Sequence, residues 1–200
     1  MKKSLLDTLS PTQRPTKSNE WYTPSLYIEA ARKVMGKIDL DPASCADANQ
    51  TVKALYYYTQ VENGLAQQWY GNVWCNPPYT QVVPGHSSIK AWVSKAHRLY
   101  QEGAIEQCML LIPNDTSTKW FEWLWEYPIC FPPKRIKFLI PGRKAEQPTF
   151  GTCFVYMGPH EQRFMETFSL FGSIVRRVSQ PRYEEPTIWS SKEEDGACIL

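Results

Sequence analysis

The chain has 200 residues, 42% hydrophobic, 14% aromatic and 21% charged, so about 70% of its unfolded surface can be buried and one domain is expected. Its 22 basic and 20 acidic residues leave a net charge of +2, which argues against a simple cationic coat for nucleic acid but leaves room for a local basic patch. With 16 Pro, 10 Gly, 8 Trp, 11 Tyr and 8 Phe, it is neither collagen-like nor a disordered polyelectrolyte.

No apolar run approaches the roughly 18 residues of a membrane span; the longest compact one is Met109, Leu110, Leu111 and Ile112. Asp7 and Ser10 interrupt any hydrophobic stretch after Lys2 and Lys3, so no secretory signal is expected. Cys198 stands one place too late for a prenylation box. Cys45, Cys75, Cys108, Cys130, Cys153 and Cys198 form no C-x-x-C pair, and His86, His97 and His160 show no ligand spacing with them, so no metal site is expected. A reducing cytosol is the simplest compartment.

Residues 1–19 are polar, with Pro11 and Pro15 and no periodicity, and read as a flexible arm. The folded domain spans 20–180. Thr23 and Pro24 open a helix as N-cap and first helical position, with an apolar stripe of Leu26, Tyr27, Ala30, Ala31, Val34 and Met35 and a stop at Gly36. Residues 37–41, 54–59 and 72–75 read as strands. Ile89, Trp92, Val93, Ala96, Leu99 and Tyr100 mark a helix stopped by Gly103, and 105–112 a buried strand. Trp120, Phe121, Leu124 and Trp125 mark a further helix capped from Thr116 or Ser117. Residues 135–140 and 149–157 read as an antiparallel hairpin across Pro141 and Gly142, and 164–178 as either helix or strand. Residues 181–200 carry Arg182 and Lys192 against Glu184, Glu185, Glu193, Glu194 and Asp195, an acidic tail. The expected class is α/β: a mostly parallel sheet covered on both faces, with a C-terminal antiparallel hairpin.

The sharpest motif is Asn76, Pro77, Pro78 and Tyr79, directly after a strand. Two prolines fix φ, remove two N–H donors and hold the turn extended. Ligands of open α/β sheets sit beyond the carboxyl ends of strands. A stiff turn there can present the Asn76 side-chain oxygen and the Pro77 carbonyl as two acceptors for an amino group, with Tyr79 as a flat face for a planar base. Asn before Pro is also an ordinary turn initiator. The second motif is Asp39, Leu40, Asp41, Pro42, Ala43 and Ser44, whose Asp41 lies 35 residues before Asn76. Small residues after a strand admit a ligand, and an acid there accepts from an amine or from ribose hydroxyls; an Asx-type turn has the same composition. Lys134, Arg135, Lys137, Arg143 and Lys144 form an acid-free stretch of five positive charges. In extended chain Arg135 and Lys137 share one face, opposite Ile136 and Phe138, as DNA-binding residues or as a charged edge strand. Trp120 reads as core, Trp69 and Trp74 as packing, and Trp123 is open. Asn114, Asp115 and Thr116 read as a helix cap beside the site.

Glu20-Trp21-Tyr22-Thr23-Pro24, the motif of residues 39–44, Asn63-Gly64-Leu65 with Trp69, and Val73 through Tyr79 in this order resemble the phage DNA N-6-adenine methyltransferases, the compact Dam-like enzymes. The likeness continues through Leu110 to Pro113, Thr118 to Phe121 and Arg135 to Phe138, covering roughly 20–158. It implies a Rossmann-like fold that uses S-adenosylmethionine to methylate the N6 amino group of a flipped adenine in double-stranded DNA, without a metal, in the cytoplasm of a bacterial host if the chain is phage-encoded. By the same resemblance Asn76, Pro77, Pro78 and Tyr79 are catalytic. Asp39, Asp41, Pro42, Ala43, Ser44 and Asn63 bind the cofactor, and Trp21, Thr23 and Pro24 close over it. The turn reads Asp-Pro-Ala-Ser where many methyltransferases are glycine-rich, Asn63 stands where relatives often have Asp, and there is no large inserted target-recognition domain. Other readings are an amino methyltransferase acting on RNA or on protein glutamine, a nucleic-acid-binding protein with a degenerate cofactor site, and a purely structural domain.

Overall fold

A computed structural model of the chain describes residues 21–79, 88–140, 142 and 144–178. The expected arm 1–19, the tail 181–200, Pro141 and Arg143 lie outside these residues. The first half alternates: α1 (Ser25–Met35), β1 (Leu40–Asp41), α2 (Ala46–Val52), β2 (Tyr56–Tyr57), β3 (Asn72–Cys75), α3 (Ile89–Gln101) and β4 (Gln107–Pro113). A 3-10 helix (Glu122–Glu126), β5 (Ile129–Phe131), β6 (Thr152–Met157), α4 (Glu161–Phe168) and β7 (Ser173–Val175) follow. The strands form one sheet in the order β2-β1-β3-β4-β6-β5-β7. It is parallel from β2 to β4 and antiparallel from β4 to β7.

Side chains alternate across this sheet, so each central strand feeds two cores. Val73, Cys75, Leu110, Ile112 and Val155 pack with Trp92, Val93 and Ala96 of α3. Trp74, Met109, Leu111, Phe154 and Tyr156 pack with Ile28, Ala31 and Val34 of α1 and with Phe164 and Phe168 of α4. Trp74 is wholly buried, and Trp69 and Trp120 are core residues as expected. Trp123 is exposed and stacks on His97. Gly36, at φ 82°, ends α1 as its composition suggests.

Several expectations need correction. The sheet is parallel only in its first half. Residues 135–140 are not a strand of the sheet: they make isolated bridges with Tyr22 and Glu146, and the neighbours of β6 are β4 and β5. The physical reason lies in composition. Ile129, Cys130 and Phe131 are all apolar and suit a sheet covered on both faces, whereas a stretch that alternates charged and apolar residues can bury only one. The helix expected around 120–125 is instead a 3-10 turn: Phe121, Leu124 and Tyr127 donate in succession to Thr118, Phe121 and Leu124, each three residues back, and Pro128 follows. Neither Thr116 nor Ser117 caps it; Thr118 instead donates to the Asp115 carbonyl. Residues 164–178 contain both a helix end and a strand, α4 and β7. On α1 Leu26 is exposed and Ile28 takes its place in the core. α2 has no apolar stripe and buries only Val52; the Sγ of Cys45 caps it by accepting from the Ala48 amide.

Candidate active site

β3 is buried along its length and β1 pairs with it in parallel, Leu40 beside Val73. Their carboxyl ends therefore lie side by side, and both sequence motifs emerge there. At the end of β3 Pro77 is buried, Pro78 is exposed, and Asn76 and Tyr79 are half-buried. The Asn76 carboxamide is held at both ends. Its Nδ2 donates to the Trp21 carbonyl at 2.9 Å and to the Thr23 hydroxyl at 3.2 Å, and its Oδ1 accepts from the Tyr79 hydroxyl. The Tyr79 oxygen is also 2.9 Å from the Leu111 carbonyl. Burial pushes the Tyr79 phenol well above its ordinary value, so it stays a donor. Its ring meets Phe138 and Phe150 edge to face, at 6.3 and 5.5 Å. The hydroxyl is thus turned inward and anchors the turn, a role the sequence did not disclose.

At the end of β1 Asp41 is buried, with Oδ1 accepting from the Ala43 amide at 3.2 Å. Burial pushes its carboxyl up to about 7, against the opposing pull of the Ala43 amide and the nearby Ser44 hydroxyl. Ser44 Oγ is buried and makes no well-formed hydrogen bond, although it stands close enough to Asp41 to favour the charged form. A buried carboxylate with one amide partner beside an orphaned hydroxyl fits a ligand carrying hydroxyl or ammonium groups. The main chain of this turn is tied to the next strand: Ser44 N–H donates to the Tyr58 carbonyl and Tyr58 N–H to that of Asp41. Asn63 is exposed and left-handed, at φ 55°, a conformation that asparagine tolerates. Gly64 beside it presses on Pro42, where an added Cβ would lie 1.9 Å from the carbonyl oxygen. Trp69 and Lys95 hold this loop by donating to the Gly64 and Leu65 carbonyls, both at 2.8 Å.

Asp39 stands apart. Its carboxylate accepts from Lys37 at 2.8 Å and from the Asn72 amide at 2.9 Å, at the opposite end of β3 from Asn76. It braces the sheet and does not reach the two turns.

Residues 21–24 join the parts. Tyr22 and Leu139 exchange two main-chain hydrogen bonds of 2.9 Å, and the Tyr22 hydroxyl is 3.2 Å from the Sγ of Cys45. Trp21 and Pro24 are half-buried, and the Trp21 ring packs edge-on against Phe138. The basic segment is therefore docked beside the Asn76 turn. Ile136, Phe138 and Ile140 point inward while Arg135, Lys137 and Leu139 are exposed, the alternation expected from the sequence. Lys134 and Lys144 are exposed too, and none of these four cations enters an ion pair among the described residues. Phe150 and the Leu111 carbonyl had no local signal; Phe138 showed only the periodicity of a buried residue. Asn114 and Asp115 are exposed in a turn whose Asn114 amide donates to the Gly151 carbonyl. An open depression of about 410 Å³ lined by Glu122, Trp125, Val175, Arg176 and Arg177 lies beside β7, away from this constellation.

Two turns at the carboxyl ends of adjacent parallel strands, one carrying a fixed carboxamide and the other a buried acid, stand where open α/β sheets place their ligand sites. The chain belongs to the DNA N-6-adenine-methyltransferase (Dam) family, whose model matches residues 10–177. The match covers both turns and the basic segment, and membership implies a methyltransferase. No curated protein and no solved structure matches the chain. Among the described residues no group of three or more His, Cys, Asp or Glu is placed to hold a metal ion, and no helix is long and apolar enough to cross a membrane.

Proposed function

We propose that this protein transfers a methyl group from S-adenosylmethionine to the N6 amino group of adenine in double-stranded DNA. Beside the family membership, the observation that carries this reading is the fixed Asn76 carboxamide next to the buried Asp41 turn. S-adenosylmethionine supplies the activated methyl group. Asp41 and Ser44 hold its hydroxyl or ammonium groups, with Pro42, Ala43 and Asn63 forming the adjoining wall and residues 21–24 the cover. The adenine amine is a poor nucleophile because its lone pair is delocalised into the ring. Accepting its two N–H bonds at Asn76 Oδ1 and the Pro77 carbonyl favours a pyramidal nitrogen and localises that pair. The base must leave the stack to reach this turn. Lys134, Arg135, Lys137, Arg143 and Lys144 hold the phosphates around it.

The test offers tritiated S-adenosylmethionine with DNA, RNA and protein pools, using wild type and Asn76→Ala. Label is expected in DNA, on adenine N6. Asn76→Ala is expected to lose about 100-fold in transfer, the usual cost of one lost polarising group, while S-adenosylmethionine still raises its melting temperature. Full activity in Asn76→Ala would reject the assignment, and label in RNA or protein alone would replace the substrate.

A further inference from the structure

Thr23 is expected as the N-cap of α1, yet Pro24 takes that position, Ser25 opens the helix, and no side chain caps it. The buried Thr23 hydroxyl instead accepts from Asn76 Nδ2 at 3.2 Å. The Trp21 carbonyl takes the other N–H at 2.9 Å, and the Tyr79 hydroxyl reaches Oδ1. The Trp21 carbonyl can only accept, so a flipped carboxamide would set oxygen against oxygen there; the carbonyl selects the orientation, and the Thr23 and Tyr79 hydroxyls steady it from either end. One lone pair of Oδ1 remains for a substrate amine. The Tyr79 hydroxyl has one proton and a second acceptor, the Leu111 carbonyl at 2.9 Å, so it can release Oδ1 and stay bonded. Residues 21–24 are themselves braced, by Leu139 through the main chain and by Cys45 through the Tyr22 hydroxyl.

We propose that Thr23 is a positioning residue whose hydroxyl, with the Trp21 carbonyl, fixes the edge that the Asn76 carboxamide presents to the substrate. This rests on Asn76 being the group that accepts from the amine. It gives Thr23 a task separate from covering the cofactor, because misorienting Asn76 slows transfer without loosening S-adenosylmethionine.

The experiment compares Thr23→Val, which keeps the shape and removes the hydroxyl, with Thr23→Ser, which keeps the hydroxyl. Thr23→Val is expected to lower kcat about tenfold, as for loss of one buried hydrogen bond, with the Kd for S-adenosylmethionine and the KM for DNA within about twofold of wild type. Thr23→Ser is expected to restore kcat to within about threefold. Weakened S-adenosylmethionine binding with unchanged kcat in Thr23→Val would overturn the proposal, as would Thr23→Ser being as slow as Thr23→Val. Should Thr23→Val not fold, Thr23→Ala carries the test. It removes the same acceptor at Nδ2 and is expected to lower kcat about tenfold at unchanged S-adenosylmethionine affinity; unchanged kcat there would overturn the proposal. Failure of the functional reading shows separately, as a wild type without methyl transfer or an Asn76→Ala protein with it, and overturns both.

Discussion

Asp41 shows how one residue couples the site to pH. Its carboxyl is raised from 3.8 to about 7 by burial, so between those values the folded chain keeps a proton that the unfolded chain releases. The stability this contributes is present in full below about pH 4 and is lost as pH rises through about 7. Asp41→Asn removes the charging step. At pH 8, without ligand, it is expected to be more stable than wild type by on the order of a few kcal/mol, because each tenfold change in proton affinity is worth about 1.4 kcal/mol. Urea unfolding at pH 5.5 and 8 measures this; equal pH slopes in the two proteins would contradict it. A ligand that donates to Asp41 favours the charged form, so S-adenosylmethionine affinity is expected to rise from pH 6 to 8 in wild type and to stay flat in Asp41→Asn. The sequence singles out this acid by its place after a strand. The pH dependence needs its burial, which is a property of the packed chain.

Among the elements, the segment 135–140 is the one on which the proposed DNA contact rests. Its charge alternation follows from composition, and Arg135 and Lys137 do face solvent while Ile136 and Phe138 enter the core. Its partner does not follow from composition. The segment pairs with Tyr22 rather than with β6, which brings the cations beside Asn76 and makes one unit of residues 21–24, the turn and the basic stripe. Replacing Arg135 and Lys137 together by Ala is expected to reduce the slope of log affinity for duplex DNA against log salt by about 2, close to 0.9 per lost phosphate contact. S-adenosylmethionine binding should not change. Fluorescence titrations at several salt concentrations give the slope, and an unchanged value would remove these side chains from the DNA contact.

For the whole molecule, the aromatic excess divides between two cores and one site. Trp74 lies at the centre of the sheet, wholly buried on the α1 and α4 face, although it is two residues from Asn76. Trp123 keeps 39% of its surface exposed over His97. Trp74→Ala is expected to cost about 3–5 kcal/mol in urea unfolding, and Trp123→Ala about 0.5 kcal/mol or less. Similar losses for both would mean that Trp123 is a packing residue too. The near-neutral net charge takes its meaning at this scale as well: a sum of +2 over 200 residues conceals five cations within residues 134–144.

The sequence by itself determined α1, α3 and the strands of the first half, β3 to the residue, the inward and outward faces of 135–140, and the position of the two turns on which the proposed chemistry rests; α2, which has no apolar stripe, was not among them. These follow from local periodicity, proline stiffness and the places where chains turn, which act over a few residues. Only the tertiary structure decided which strand lies beside β6, that Asp39 braces the sheet while Asp41 is buried in the turn after β1, that Thr23 holds Asn76 rather than a helix end, and that the Tyr79 hydroxyl points inward. Those outcomes depend on partners 30 to 55 residues away, such as Trp21 for Asn76, Leu111 for Tyr79 and Asn72 for Asp39. A short apolar strand or an unpaired hydroxyl finds its partner only when the whole sheet has closed around it, and no local pattern records that.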